Sequence, residues 1–195
     1  MKKLQLHRFF SILLICAMVL TFLQPLGAWA TADTTVYLDP VNGADTNAGT
    51  EAAPVKTLEA AYGKLTQGGT IVFLSNLTWS TSGFFPACDY PVTLTSKTGA
   101  EGIVASANMR MQADTTFQNI TLTFNNTGMM ILSGEGHNLT VDSNVNVVRN
   151  TTAQLNITAA PRFGTTVTAS PTLTVKAGTW NHMYGVHGIG VANIT

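Results

Sequence analysis

The stretch TTFQNITLTF, residues 115–124, decides the fold of this 195-residue chain. From Ile120 onwards the apolar residues Leu122 and Phe124 alternate with threonines, which is the period-two pattern of a strand with one buried face. The same short alternation recurs along most of the chain, with apolar positions at Val92, Leu94, Leu139, Val141, Leu155, Ile157, Leu173 and Val175. Gly, Asn, Asp and Thr turns separate these stretches, so the sequence predicts an all-β fold made of many short strands.

The spacing of these strands favours a solenoid over a sandwich. Comparable strand positions recur every 16 to 28 residues, at Val72, Val92, Ile120, Leu139, Leu155 and Leu173. Sandwiches built from hairpins place a strand every roughly 8–12 residues. Asn-Gly occurs only once, at residues 42–43, so signals for tight hairpins are sparse. A quasi-repeat of this length indicates a parallel β-helix whose coils stack through main-chain hydrogen bonds.

Few charges and many hydroxyl side chains fit such a solenoid. Only 10% of the residues are charged and 45% are hydrophobic, whereas soluble domains usually have roughly 25% charged residues. The chain holds 30 threonines and 14 asparagines, which favour strands and turns respectively. This composition excludes a disordered charged tail and a nucleic-acid binder that depends on a basic surface.

Residues 1–30 have the features of a secretory signal peptide. Positive charges at Lys2 and Arg8 precede an apolar run at residues 9–23 and the small-x-small sequence AWA at residues 28–30. The alternative is an uncleaved anchor, but the apolar run is shorter than the roughly 20 residues that span a bilayer. We expect a mature chain without a membrane span and with a net charge of −3, because cleavage removes three of ten cations and none of ten anions. Cys88 is then its only cysteine, which excludes an intramolecular disulfide.

Residues 31–74 form an N-terminal segment of a different kind. The loop at residues 39–54 is dense in Asp, Asn, Gly and Pro, which is typical of Asx-turns. Residues 57–65 have the apolar spacing of a helix, and an apolar strand follows at residues 70–74. An open first coil would invite aggregation, so we expect this helix to cap the solenoid. Residues 75–195 are predicted to form the coils, and we expect them to continue beyond Thr195 because no terminal cap follows.

Residues 37–65, YLDPVNGADTNAGTEAAPVKTLEAAYGKL, resemble the amino-terminal signature of bacterial secreted right-handed β-helix proteins of the pectin-lyase-like superfamily. The shared features are an aromatic-x-Asp strand from Tyr37, a Gly-x-Asp-x-Asn-x-Gly-Thr loop at residues 43–50 and Pro-x-Lys-Thr at residues 54–57. The resemblance implies a right-handed, single-stranded parallel β-helix with one N-terminal capping helix, located outside the cell. It implies no particular activity, because lyases, hydrolases, epimerases and non-catalytic surface proteins share this fold.

The acidic residues offer no obvious catalytic pair. Beyond residue 74 the carboxylates are Asp89, Glu101, Asp114, Glu135 and Asp142, and none forms a D-D or D-x-D pair. Glycoside hydrolysis requires two carboxylates about 5–10 Å apart. We therefore predict no catalytic residues here, and one arrangement stays open, in which the coils stack Asp114 near Glu135 or Asp142.

Calcium is the one cofactor that the sequence leaves open. Asp39, Asp45 and Asn47 supply oxygen atoms within one loop, and Ca²⁺ takes 6–8 oxygen ligands. Their spacing matches no known calcium loop. We favour the alternative, in which these side chains form Asx-turns without an ion.

Three aromatic residues are candidates for carbohydrate contact. Trp180 and Tyr184 would share one face of an extended stretch, and Trp79 lies in a second aromatic region. Aromatic rings exposed on a β-surface stack on sugars, whereas the alternative is packing in the core and at corners. We expect a secreted or cell-wall-associated module, structural or adhesin-like, that contacts extracellular polysaccharide or a host or cell-wall surface. The alternative is the N-terminal part of a polysaccharide lyase or glycoside hydrolase.

Overall fold

The computed structural model describes residues 34–149, 152–161, 171–184 and 193–194. The predicted signal peptide lies outside these residues. Within them the chain forms sixteen strands and one helix, and every pairing between the strands is parallel. The all-β fold predicted from the alternating pattern is confirmed, as is the parallel solenoid. The right-handed winding stays a prediction.

The strands form three parallel sheets. The seven-stranded sheet contains β1 (Thr34–Leu38), β2 (Gly69–Phe73), β5 (Val92–Ser96), β8 (Thr115–Phe117), β11 (Leu139–Val141), β14 (Thr172–Val175) and β16 (Asn193–Ile194). The four-stranded sheet contains β3 (Leu77–Trp79), β6 (Gly102–Ala105), β9 (Thr121–Phe124) and β12 (Asn146–Arg149). The five-stranded sheet contains β4 (Gly83–Phe84), β7 (Met109–Arg110), β10 (Met129–Ser133), β13 (Gln154–Thr158) and β15 (His182–Tyr184).

Each complete coil contributes one strand to each sheet, and the described residues contain four such coils, β2–β4, β5–β7, β8–β10 and β11–β13. Ile71, Leu94, Phe117 and Val141 occupy equivalent positions, so successive coils are 23, 23 and 24 residues long. The spacing measured along the sequence was irregular because the positions chosen belong to strands of different sheets. Leu155, for example, belongs to the five-stranded sheet.

The inside of the solenoid is a column of apolar side chains in register. In the seven-stranded sheet this column runs through Val36, Ile71, Leu94, Phe117 and Val141, all of which are buried. One residue earlier on each strand, an outward-facing row consists entirely of threonines: Thr35, Thr70, Thr93, Thr116, Thr140 and Thr174. Because a strand turns alternate side chains to opposite faces, an apolar core and a hydroxyl-rich coat arise from the same short sequences.

Helix α1 (Leu58–Lys64) confirms the predicted N-terminal helix. Thr57 begins it, with Oγ1 accepting a hydrogen bond from the Ala60 amide at 3.2 Å, as N-cap residues do. Leu58, Ala61 and Tyr62 are buried, and α1 contacts β1, the edge strand of the seven-stranded sheet. The helix has seven residues, and no helix in the described part of the chain is long and apolar enough to cross a membrane.

The corner between the seven-stranded and four-stranded sheets explains part of the asparagine content. Asn119 adopts a positive φ of 45° there, a conformation that Asn tolerates better than most residues. Its side-chain Nδ2 donates to the Ser96 carbonyl of the preceding coil at 3.1 Å. Its backbone amide donates to Asn144 Oδ1 of the following coil at 2.9 Å. Stacked asparagines thus join the corners of three coils and fix their register.

Candidate functional site

A groove on the outer face of the five-stranded sheet gathers residues from three coils. Strands β4, β7 and β10 place Phe84, Arg110 and Ser133 side by side in register. The groove encloses about 200 Å³ and is lined by Ser82, Gly83, Phe84, Asn108, Arg110, Ile131, Ser133 and Glu135. These residues define what we call the Arg110 groove. It is smaller than the roughly 300–1,000 Å³ of typical small-molecule pockets.

Phe84 supplies an exposed aromatic surface to the Arg110 groove. Its side chain is 46% exposed, whereas its neighbour Phe85 is 1% exposed. The Phe85 ring packs against Trp79, with ring centroids 4.6 Å apart. The Arg110 guanidinium carbon lies 4.0 Å from the Phe84 ring centroid, a cation–π arrangement. Buried Phe85 therefore anchors this stretch while Phe84 faces the groove.

Arg110 is held by a bidentate ion pair with Glu135. Its Nε donates to Glu135 Oε1 at 2.8 Å and its Nη2 donates to Oε2 at 3.0 Å. The Glu135 side chain is 9% exposed and that of Arg110 is 33% exposed. Hydrogen bonding to the carboxylate raises the pKa of Arg110 above its usual value. The pair fixes the plane of the guanidinium, so Arg110 is an oriented group rather than a mobile surface cation.

The backbone at Glu135 is strained. Glu135 has a φ of 50° between two glycines, and positive φ values cost a non-glycine residue about 1–2 kcal/mol. The turn is fastened to the next coil, because Gly134 N donates to the Thr158 carbonyl and Gly136 N to the Ala159 carbonyl, both at 2.8 Å. Strain of this kind accumulates at functional sites, so this turn is a candidate for a functional role.

Hydrogen-bond donors remain available in the Arg110 groove. Asn108 Oδ1 accepts from the Ile131 amide at 2.9 Å, and Ser82 Oγ accepts from the Asn108 amide at 3.4 Å. Within the described residues, the groove therefore retains Arg110 Nη1, Asn108 Nδ2 and the Ser82 hydroxyl proton as unused donors. These donors line the same groove as the exposed Phe84 ring.

Three of the five acids named in the sequence analysis, Asp114, Glu135 and Asp142, have separate partners. Asn138 donates two hydrogen bonds to Asp114, one from its backbone N to Oδ1 at 2.9 Å and one from its Nδ2 to Oδ2 at 2.8 Å. Glu135 pairs with Arg110, and Asp142 lies 3.4 Å from Lys176 Nζ. The glycines on both sides of Glu135 indicate a turn, but they do not reveal its partner. The sequence signal for this pairing is the separation of 25 residues between Arg110 and Glu135, which is close to the length of one coil.

Trp79 and Trp180 pack against the core and are partly buried. Trp79 Nε1 donates to the Asn108 carbonyl at 2.9 Å, and Trp180 Nε1 donates to the Ala177 carbonyl at 2.9 Å. For Tyr184 the structure describes only its place in strand β15. Sugar contact at these three residues stays a prediction. Trp79 also supports the Arg110 groove, because it holds Asn108 by the backbone.

The calcium candidates fasten the N-terminal loop. Asp39 accepts hydrogen bonds from the Val41 and Asn42 amides, both at 3.1 Å, and from Ser75 Oγ at 2.6 Å. Asp45 Oδ1 accepts from the Thr57 amide at 2.9 Å, at the start of α1.

Asn47, the third candidate, donates from Nδ2 to the Pro54 carbonyl at 2.9 Å. The candidates therefore act as loop ties, and calcium binding there stays a prediction. Among the described residues, no three His, Cys, Asp or Glu side chains form a group suited to a metal ion.

A second hollow of about 290 Å³ contains the single cysteine of the described chain, together with Asp89, Tyr90, Pro91, Asp114 and His137. His137 Nδ1 lies 3.8 Å from Asp114 Oδ1. Cys88 Sγ donates to the Tyr90 carbonyl at 3.4 Å. Burial raises the pKa of the Cys88 thiol, so it is not an activated nucleophile.

We expect Cys88 to react slowly with iodoacetamide. The thiolate is the reactive species, and a raised pKa lowers its fraction at pH 8. The alkylation rate of the native protein, followed by mass spectrometry, should be several-fold below that of the same protein unfolded in urea. Equal rates in the two states would contradict this environment for the thiol.

A scan of the chain against protein-family models found no match. Searches of curated proteins and of solved structures found none either. What the Arg110 groove binds must therefore be inferred from its own side chains.

Proposed function

We propose that this protein is a secreted or cell-surface β-solenoid module of the pectin-lyase-like kind, which binds carbohydrate through the Arg110 groove. The observation that carries the proposal is the exposed Phe84 ring beside a fixed guanidinium. The structural role is adhesin-like, with extracellular polysaccharide or a cell-wall surface as the partner. The predicted signal peptide and the sequence resemblance support a location outside the cell.

The chemistry of the groove suits a sugar ring. The C–H face of a sugar packs on an aromatic ring, and Phe84 presents such a ring at the surface. Glu135 occupies Nε and Nη2 of Arg110, and Nη1 is left to donate to a sugar hydroxyl. Asn108 and Ser82 add donors at the rim. The groove size corresponds to one ring, with the rest of a polymer lying on the solenoid surface.

Binding is supported better than catalysis. Glycoside hydrolysis requires two carboxylates, whereas Glu135 is the only carboxylate among the described residues that line the Arg110 groove, and both of its oxygens bind Arg110. An activity of the lyase or hydrolase class would therefore need groups from outside the described residues. The rigid strands beneath the groove favour a preformed binding surface.

Replacing Phe84 by alanine should weaken carbohydrate binding about two- to tenfold, because one aromatic stacking contact contributes about 0.5–1.5 kcal/mol beyond its buried area. Affinity electrophoresis through gels containing soluble plant and bacterial polysaccharides would measure the loss. Met129→Ala is the matched control, since Met129 is 48% exposed on the same sheet but does not line the groove. If both variants bind as the wild type does, the Arg110 groove is not the binding site.

A further inference from the structure

We infer that the Arg110 groove selects neutral sugars over acidic ones, and that Glu135 is the residue that sets this selectivity. The inference rests on the proposed function and names the class of carbohydrate. It is based on the charge balance of the groove, its free donors and the strained turn that holds Glu135.

The Arg110 groove is electrically balanced. Among the described residues that line it, Arg110 is the only cationic side chain and Glu135 the only anionic one. The two lie in direct bidentate contact, at 2.8 and 3.0 Å. A guanidinium neutralised at this distance exerts little net attraction on a second carboxylate, because the attraction to Arg110 is opposed by repulsion from Glu135 at a similar distance.

The net charge of the chain also disfavours binding of an acidic polysaccharide. The exported chain is expected to carry three more anions than cations after loss of Lys2, Lys3 and Arg8. A protein of negative net charge does not steer a polyanion towards its surface. Neither the groove nor the chain as a whole therefore offers the positive field that an acidic polysaccharide needs.

The free donors of the groove suit hydroxyl groups. Arg110 Nη1, Asn108 Nδ2 and the Ser82 hydroxyl have no partner among the described residues. A sugar hydroxyl can accept from each of these donors without bringing a charge next to Glu135. Arg110 lies over one face of the Phe84 ring, so the apolar face of the same sugar would pack on the other face.

The strained turn indicates that Glu135 is placed for Arg110. Glycine would adopt a φ of 50° without steric cost, and glycines stand on both sides of this position. A glutamate there instead carries backbone strain, and its carboxylate reaches back by one coil to Arg110. The position therefore supplies the counter-charge at the expense of local backbone stability, which is the pattern expected of a specificity residue.

The test compares galactan, a neutral polymer, with polygalacturonate, an acidic one, at low and high salt. Wild-type protein should bind galactan with an affinity that salt hardly changes, and should bind polygalacturonate more weakly. E135Q removes the counter-charge but keeps the shape, so it should gain about fivefold in affinity for polygalacturonate at low salt, the order expected of one uncovered charge near solvent. The double variant R110Q/E135Q restores neutrality and should lose that gain.

The outcomes separate the inference from the proposed function. Preference of the wild type for polygalacturonate would overturn neutral selectivity while leaving carbohydrate binding in place. An E135Q variant that folds and gains nothing for polygalacturonate would overturn the role of Glu135. Binding to neither polymer, nor to other glycans on an array, would overturn the proposed function as well. The wild-type comparison needs no variant, so the test survives if a substitution impairs folding.

Discussion

Replacing Phe117 by alanine is expected to lower the free energy of unfolding by about 4 kcal/mol. Phe117 is fully buried and lies in register between Leu94 and Val141 of the two neighbouring coils. Its removal leaves a void in the middle of the apolar column, and the strands on either side cannot close it because their main-chain hydrogen bonds fix the spacing. The lost burial and the remaining cavity both destabilise the fold.

Urea denaturation followed by circular dichroism would measure this change as a lower midpoint. Thr116→Val is the matched control, because Thr116 is the preceding residue on the same strand and faces outward. We expect the control to stay within about 0.5 kcal/mol of the wild type. Similar losses for the two variants would contradict the assignment of inward and outward faces.

Replacing Asp39 by alanine is expected to cost about 3 kcal/mol of stability, because donors on three residues lose one charged acceptor at once. Asp39 is 8% exposed and accepts hydrogen bonds from Val41, Asn42 and Ser75. Those bonds join the N-terminal loop to the connection between β2 and β3. Thermal or urea unfolding would measure the loss, and Asp89→Ala, at an exposed position, is the control expected to change little.

The effect of Asp39 should depend on pH. Burial acts to raise the pKa of Asp39, but the hydrogen bonds from Ser75, Asn42 and Val41 outweigh burial and hold that pKa below its usual value. A group of this kind stabilises the fold fully above its unfolded-state pKa of about 4. The stabilisation is lost as the pH falls through the lower folded-state pKa. The stability difference between wild type and D39A should therefore be largest at pH 6 and smaller near pH 3, and a constant difference would argue against an ionised Asp39.

The alternating pattern predicted the fold because the physical cause is local. Each short strand of the seven-stranded sheet shows in its own residues which face is buried, and Thr57 marks the start of α1 by its capping side chain. The exact coil length was harder to predict from the sequence. Strand β4 has two residues, too few for a periodic signal, so the third strand of that coil was not predicted from the sequence.

The Arg110 groove could not be predicted because its contacts depend on that coil length. Arg110 and Glu135 are 25 residues apart and meet only because one coil separates them. The sequence around Glu135, Gly134-Glu135-Gly136, indicates a turn and nothing more. Phe84 likewise shows its exposure only once Phe85 is known to face the core.

Because the coils are stacked, ligand binding in the Arg110 groove does not depend on the total number of coils. In a solenoid each coil contacts only its neighbours, and the lining of the Arg110 groove comes from the coils that carry β4, β7 and β10. Duplicating or deleting a whole coil beyond β13 would lengthen or shorten the protein without altering the groove. A single-residue deletion between Arg110 and Glu135 would separate the pair. Evolution can therefore change the reach of this molecule in whole-coil steps while its ligand stays the same.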